Sequence, residues 1–372
     1  MRLKVVRVAS LSTLLAVVGG TAWWLSLPQP TELEEPIRPA GSSLSRITLT
    51  EFNAMGEQIW EVGAQRAEYN QTTRTTDAYE LTGRFFRNGK PIMEASAAIG
   101  SVSQSERAII LRGQAKVIAL QENVVVTSEK LTWQSDQDLL TATEQVKVAK
   151  PDRQITITGK ALKAKPSINQ FRVEQDVVAL SVNPPLRLVG AVFIWDANRD
   201  TVTSPFAFGG RQTVSDLRLR ANRGVWSIPN QLLTLVGDVR ARAPKLDLQI
   251  DTSELSWQIQ NQAIVLPKNL KAISVNRGIV VTAAQGKVDL DKGNVQIRGE
   301  VLAKAAANSS QLRAETAEWL IEQQQITAQG NVSYQQLEPN LQVNGNQAIA
   351  NLESQTVTVN GSGAVVTKIA VP

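Results

Sequence analysis

The feature that most restricts the fold of this chain is a repeat. From Tyr69 onward an anchor, usually aromatic or apolar, recurs at Val102, Trp133, Lys165, Trp195, Trp226, Trp257, Val288, Trp319 and Ala350, at spacings of 33, 31, 32 and 30 residues and then 31 throughout. Five of the eight tryptophans fall on this one phase. A fixed period of this length means one supersecondary unit copied along the chain, each copy burying its apolar face against its neighbours. Eleven residues after most anchors stands a small or turn-prone residue (Gly113, Asp176, Gly237, Gly299, Gly330, Gly361), and Tyr69 reaches Gly83 after fourteen. Glycine takes positive φ at little cost, so this position predicts a bulge or corner within a strand.

Inside each unit the hydrophobic period is two. Ile109, Leu111, Ala115 and Val117 share one face while Arg112, Gln114 and Lys116 share the other. Ile155-Thr-Ile157-Thr and Gln355-Thr-Val357-Thr-Val359 repeat the alternation, which is that of half-buried strands. Asn88-Gly89 and Asn344-Gly345 read as hairpin turns. No long amphipathic helix follows Ile47, so the body is all β.

Composition narrows the chemistry. The chain has no His and no Cys, which removes disulfides, thiol nucleophiles, imidazole acid–base chemistry, common zinc sites and Ser-His-Asp arrangements. A net charge of +5 owes three units to Arg2, Lys4 and Arg7, and no basic stripe emerges from the remainder, against a nucleic-acid partner. The carboxylate pairs Asp136 with Asp138 and Asp289 with Asp291 sit between strands and read as turn residues, not as a glycosidase pair. No cofactor is implied, and no phosphate-binding loop of the G-x-x-x-x-G-K-[ST] kind occurs, so ATP hydrolysis would belong to a partner.

Residues 8–27 form an uncharged run long enough to span a bilayer. Positive residues precede it and Glu32, Glu34 and Glu35 follow, so residues 1–7 stay in the cytoplasm and the body is exported. Gly20-Thr21-Ala22 also offers small residues at cleavage-site offsets, which leaves a signal peptide as the competing reading. The apolar run continues past that site through Trp23 and Trp24, which favours a retained helix. Residues 28–46, with Pro28, Pro30, Pro36 and Pro39, read as a linker.

Glu51-Phe-Asn-Ala-Met-Gly56-Glu-Gln-Ile-Trp60, Ala64-x-x-Ala67-Glu-Tyr69, Asn88-Gly89-Lys90-Pro91-Ile92, Leu111-Arg-Gly113 and Leu131-Thr-Trp133 resemble the periplasmic domain of the LptC family, the single-pass component of lipopolysaccharide export. The resemblance covers residues 47–165, and the units in 166–372 are similar to LptA/OstA-like repeats. It implies an elongated antiparallel β-jelly-roll of stacked repeats behind one transmembrane helix. It also implies a non-enzymatic component, single-pass in the inner membrane with its body in the periplasm. Such a component receives the glycolipid from the ABC transporter subunits LptB, LptF and LptG. It passes the lipid along an apolar groove towards an LptA-like bridge or outer-membrane LptD.

On this reading the groove candidates are Trp60, Tyr69, Phe85, Ile109, Leu111, Val117, Leu131, Trp133, Val146, Val148, Ile155 and Ile157. Period two identifies an apolar face without saying whether it is open or packed. Arg84, Arg87, Lys90 and Lys130, near turns, suit either a solvated face or contact with acidic sugar groups. The partner-binding edges are Ile47, Leu49 and Phe52 at one end and Val357, Val359 and Val365 at the other, each a place where unpaired strand groups invite β-augmentation. The alternative to the conduit is an exported structural or adhesive β-solenoid, for which a coil of this length also serves.

Overall fold

The computed structural model describes residues 43–53, 55–70, 75–103, 108–134, 137–306, 309–337, 340–354, 356–361 and 366–370. The expected membrane span and most of the linker lie outside these residues. Among the described residues no helix is long and apolar enough to cross a membrane. The elements among the described residues are β-strands apart from three short 3-10 turns, and the strands pair antiparallel.

The chain divides into two compact units, 1–146 and 147–372. The first holds β1 (Ser43–Phe52), β2 (Gln58–Asn70), β3 (Thr75–Arg87), β4 (Lys90–Ser103), β5 (Ala108–Ala119) and β6 (Val124–Gln134), and β7 (Leu139–Lys150) runs across the division. β1 begins at Ser43, inside the stretch read as linker. The second unit continues with β8 (Ile155–Lys165), β9 (Gln170–Ser181), β10 (Leu186–Asp196), β11 (Thr201–Ser204), β12 (Phe208–Gln212), β13 (Arg218–Ala221), β14 (Arg223–Ser227), β15 (Leu232–Ala243) and β16 (Leu248–Gln258). Then come β17 (Ala263–Leu266), β18 (Leu270–Ser274), β19 (Ile279–Ala283), β20 (Gln285–Asp289), β21 (Asn294–Ala305), β22 (Ser310–Leu320), β23 (Gln325–Gln336), β24 (Leu341–Asn351), β25 (Thr356–Asn360) and β26 (Val366–Ala370).

The bulges fall where the repeat predicts them. Gly113, Gly237, Gly299 and Gly330 all have positive φ, and the pairing register shifts beside each. The residue after each glycine (Gln114, Asp238, Glu300, Asn331) is left-handed as well, so two successive residues turn the strand and carry its second half onto another row of neighbours. In the repeat that starts at Tyr69 the left-handed residue is Glu80, eleven after the anchor, and not Gly83, so the spacing of eleven holds where the glycine misled. Where the repeat places Phe206 and Lys268, the strand is interrupted: β11 stops before Pro205 and β17 before Pro267, because proline has no N–H for the ladder. Buried hydroxyls satisfy carbonyls freed at such places. Ser128 Oγ donates to the Glu144 carbonyl at 2.8 Å and Ser204 Oγ to the Phe206 carbonyl at 2.9 Å.

Asn88-Gly89 is the expected turn, with positive φ at both residues. Asn344-Gly345 is not: both lie inside β24, paired to Ser333 and Val332. Gly345 serves close approach instead, since a Cβ there would overlap the Asn360 carbonyl oxygen. Asp289 is a turn residue, its Oδ1 accepting from the backbone N–H of Asp291 and Lys292.

Candidate functional site

The register of the second unit explains the period of 31. Trp195 pairs with Val202, Val202 with Trp226, Trp226 with Leu233, Leu233 with Trp257 and Trp257 with Ile264. The row runs on through Val288, Val295, Trp319, Ile326, Ala350 and Val357. Each anchor therefore meets the residue seven positions later across a hairpin, and that residue meets the next anchor. At the head of the row stands Ala164, paired to Phe171, which pairs to Trp195. Lys165 is exposed, so the anchor assigned to it belongs one residue earlier, and the spacing there becomes 31 on both sides.

A second row runs through the other strand halves: Leu188, Gly210, Leu219, Ala241, Ile250, Ala272 and Val281 are successive partners. Trp195, Trp226 and Trp257 are at most 2% exposed, so this stretch of the first row is packed shut, while Ile326 and Ala350 further along it are half-buried. Burying one large side chain of this kind is worth about 1.5–3 kcal/mol, and the repetition multiplies it. The indole N–H groups of Trp133, Trp195, Trp226, Trp257 and Trp319 are buried with no acceptor among the described residues.

The first unit has the same two rows with a different finish. Trp60, Phe85 and Met93 pair in succession, as do Val62, Gly83, Ala95 and Val117. On the far side of the bulges Tyr69, Thr76, Val102, Ile109 and Trp133 form one row and Ala78, Gly100, Leu111 and Leu131 another. Phe85 and Trp133, on strands that are not paired with each other, meet edge to face. Trp60, Phe85, Leu111, Val117, Leu131 and Val146 are buried, whereas Ile109 and Trp133 are half-buried and Tyr69 is 37% exposed. The row that is shut from Trp195 to Trp257 is thus partly accessible here. Val148, Ile155 and Ile157 belong to the second unit and are buried, with Ile157 paired to Ala179.

The strand edges differ from expectation at one end. β1 carries Ile47, Leu49 and Phe52 and is paired to β2. Phe52 is 57% exposed. At the other end β25 is paired on both sides, to β24 and to β26, so Val357 and Val359 are interior positions and the outer strand is β26. Sequence reading placed the edge one strand too early because β25 and β26 carry the same alternation. Val365 lies outside the described residues.

Charge is arranged less evenly than the sequence reading held. Arg84 is ion-paired to Glu94 across β3 and β4. The second unit, however, has a basic stripe: Arg187, Arg211, Arg218, Arg220, Arg240 and Arg242 line one shallow groove of about 520 Å³ on the outer face. Asp216 bridges two of them. Hydrogen bonding from Arg218, joined by the charges of Arg218 and Arg211, holds its carboxyl below the usual aspartate range. The signal was present in Arg218-Leu-Arg220 and Arg240-Ala-Arg242, two short alternating runs on the solvent phase of strands one repeat apart. Among the described residues no group of acidic side chains is placed to hold a metal ion.

These features define a class: an all-antiparallel β protein of bulged repeats, each unit built around apolar rows. Residues 11–180 match the family model described as LptC: Lipopolysaccharide-assembly, LptC-related. The match supports involvement in lipopolysaccharide transport. No match is found among curated proteins.

Proposed function

We propose that this chain is a non-enzymatic, membrane-anchored periplasmic component of lipopolysaccharide export. In this reading residues 8–27 hold it in the inner membrane, and LptB, LptF and LptG supply the lipid and the energy. The jelly-roll body shields acyl chains on the way to an LptA-like bridge or LptD. The observation that carries the reading is the half-open apolar row of the first unit, Val102, Ile109 and Trp133, within the span of the family match. Moving an acyl chain through water needs a surface that hides it, at about 0.8 kcal/mol per methylene. The indole N–H of Trp133, which has no acceptor among the described residues, is suited to an ester or amide carbonyl of an acylated guest. β1 and β26 are the strands that would pair with neighbouring components.

A second reading, an exported β scaffold, draws on the closed packing of Trp195, Trp226 and Trp257. Photo-crosslinking separates the two. A crosslinker at Leu111, Trp133 or Ile157 captures lipopolysaccharide in an ATP-dependent way, and one at Arg112 or Thr132 on the opposite face does not. Equal labelling of both faces defeats the conduit.

A further inference from the structure

The arginine groove lies on the outer face of β10, β12, β13 and β15, turned away from the apolar rows. Arg187 is paired directly with Arg211, Arg211 with Arg218, and Arg218 with Arg242, so four arginines stand side by side on neighbouring strands. Arg220 and Arg240 form a second like-charged pair beside them. Like charges placed directly opposite in a sheet destabilise it. Carboxylates relieve only part of this: Asp216 takes Arg211 at 2.9 Å and Arg218 at 3.1 Å, and Asp251 lies 3.9 Å from Arg240. Arg187, Arg220 and Arg242 have no hydrogen-bond or ion-pair partner among the described residues.

The repeat supplies its own control. One repeat further on, the places of Arg218, Arg242, Arg220 and Arg240 are taken by Gln249, Ile273, Asp251 and Lys271, and the next places in the row of Arg187 by Val280 and Lys304. The fold does not require arginine at these positions; two adjacent repeats concentrate it there. Every cation of the cluster is arginine, whose planar fork fits phosphate by two parallel hydrogen bonds. Four strands span about 14 Å, more than one phosphate covers. Between the arginines Gly209 leaves the floor open, since a Cβ there would meet only the Leu219 carbonyl, at 3.6 Å. A ring can lie flat on such a floor beside Val189.

We propose that this outer face is a binding site for a sugar carrying at least two phosphate groups, held by guanidinium forks from both rows. The assignment does not depend on whether the interior carries lipid. The free and lipid-linked forms of such a sugar present the same chemistry to the groove.

The test uses the full chain and its Arg187→Gln/Arg220→Gln/Arg242→Gln variant. Glucose 1,6-bisphosphate is the free probe. Neutral vesicles with and without a bisphosphorylated disaccharide lipid are the lipid-linked probe, and a hexaglutamate peptide is the competing anion. The wild-type chain binds a bisphosphorylated probe in a salt-sensitive way and the variant at least tenfold more weakly, while its melting temperature stays level or rises because repulsion has been removed. Binding of the free sugar identifies a soluble ligand, and binding of the doped vesicles alone identifies a lipid headgroup. The proposal is overturned by no binding of either phosphate probe, by equal binding by the variant, or by tighter binding of hexaglutamate than of both phosphate probes. A fall in the variant's melting temperature also overturns it, since the arginines would then serve the fold.

Discussion

The rings of Phe85 and Trp133 meet across the interior of the first unit, centroids 4.3 Å apart and planes at 85°. Phe85 belongs to the row of Trp60 and Met93 and Trp133 to that of Ile109, so this edge-to-face contact joins strand halves on opposite sides of the bulges. Trp133→Ala is expected to cost about 3 kcal/mol in urea unfolding, at the low end for a large aromatic because the residue is half-buried. Trp133→Phe, which keeps an edge for Phe85, should cost under about 1.5 kcal/mol. Equal losses in the two variants would show that the contact contributes nothing specific.

Lys150 and Asp200 form a buried ion pair, Nζ to Oδ1 at 2.8 Å and to Oδ2 at 3.1 Å, joining the end of β7 to the residue before β11. Removing one charge leaves the other buried and unpaired, so Asp200→Asn should lose about 3 kcal/mol. Lys150→Met should lose less, since Arg153 lies 4.0 Å from the same carboxylate and remains as a partner. The double variant should be more stable than Asp200→Asn alone. Additive losses in a double-mutant cycle would argue against this coupling.

Two glycines separate backbone freedom from close approach. At Gly237, φ is +79° and a Cβ would meet the Asn222 side chain at 3.1 Å, so Gly237→Ala should cost about 1–2 kcal/mol through backbone strain. At Gly345 the backbone is ordinary, but a Cβ would strike Asn360, so Gly345→Ala should push β25 away from β24. Hydrogen exchange distinguishes them: the first variant should leave β25 amides protected and the second should expose them.

Asp216 gives the arginine groove a pH signature. Its carboxyl titrates below the ordinary aspartate value, chiefly through the Arg218 hydrogen bond, so its contribution to stability is fully present above about pH 4. That contribution is lost as pH falls through the lower, folded-state value. In Arg218→Gln the NMR titration midpoint of Asp216 should move up towards the ordinary value; an unmoved midpoint would assign the shift elsewhere.

The C-terminal edge is testable by proline. Successive residues of an antiparallel strand direct their N–H groups to opposite sides, so of Lys368 and Ile369 in β26 one faces away from β25. Prolines at both positions should abolish association with a downstream component while leaving transporter association intact. A proline at Val357 should instead destabilise the unit, because β25 is paired on both flanks. Normal downstream association of the double-proline chain would remove β26 as the pairing strand.

What the sequence determined by itself was the set of quantities that depend on near neighbours along the chain. Alternation in Ile109–Val117 identified strands and their apolar faces, Asn88-Gly89 a turn, and the spacing from Trp195 to Trp319 a repeat with a bulge or corner eleven residues after most anchors. Period two is local, and so is the preference of glycine for positive φ. Errors arose where two local choices were equivalent: Lys165 beside Ala164, Gly83 beside Glu80, and β25 beside β26, each decided only by which strand lay next to which. The arginine groove was beyond such reasoning altogether. Alternation places Arg187 and Arg242 on a solvent face, but only antiparallel pairing through β12 and β13 sets them in one row. Tertiary structure also decided how far the interior closed, since burial of Trp195 and partial exposure of Trp133 reflect how the facing strand halves pack, which no alternation within a strand encodes.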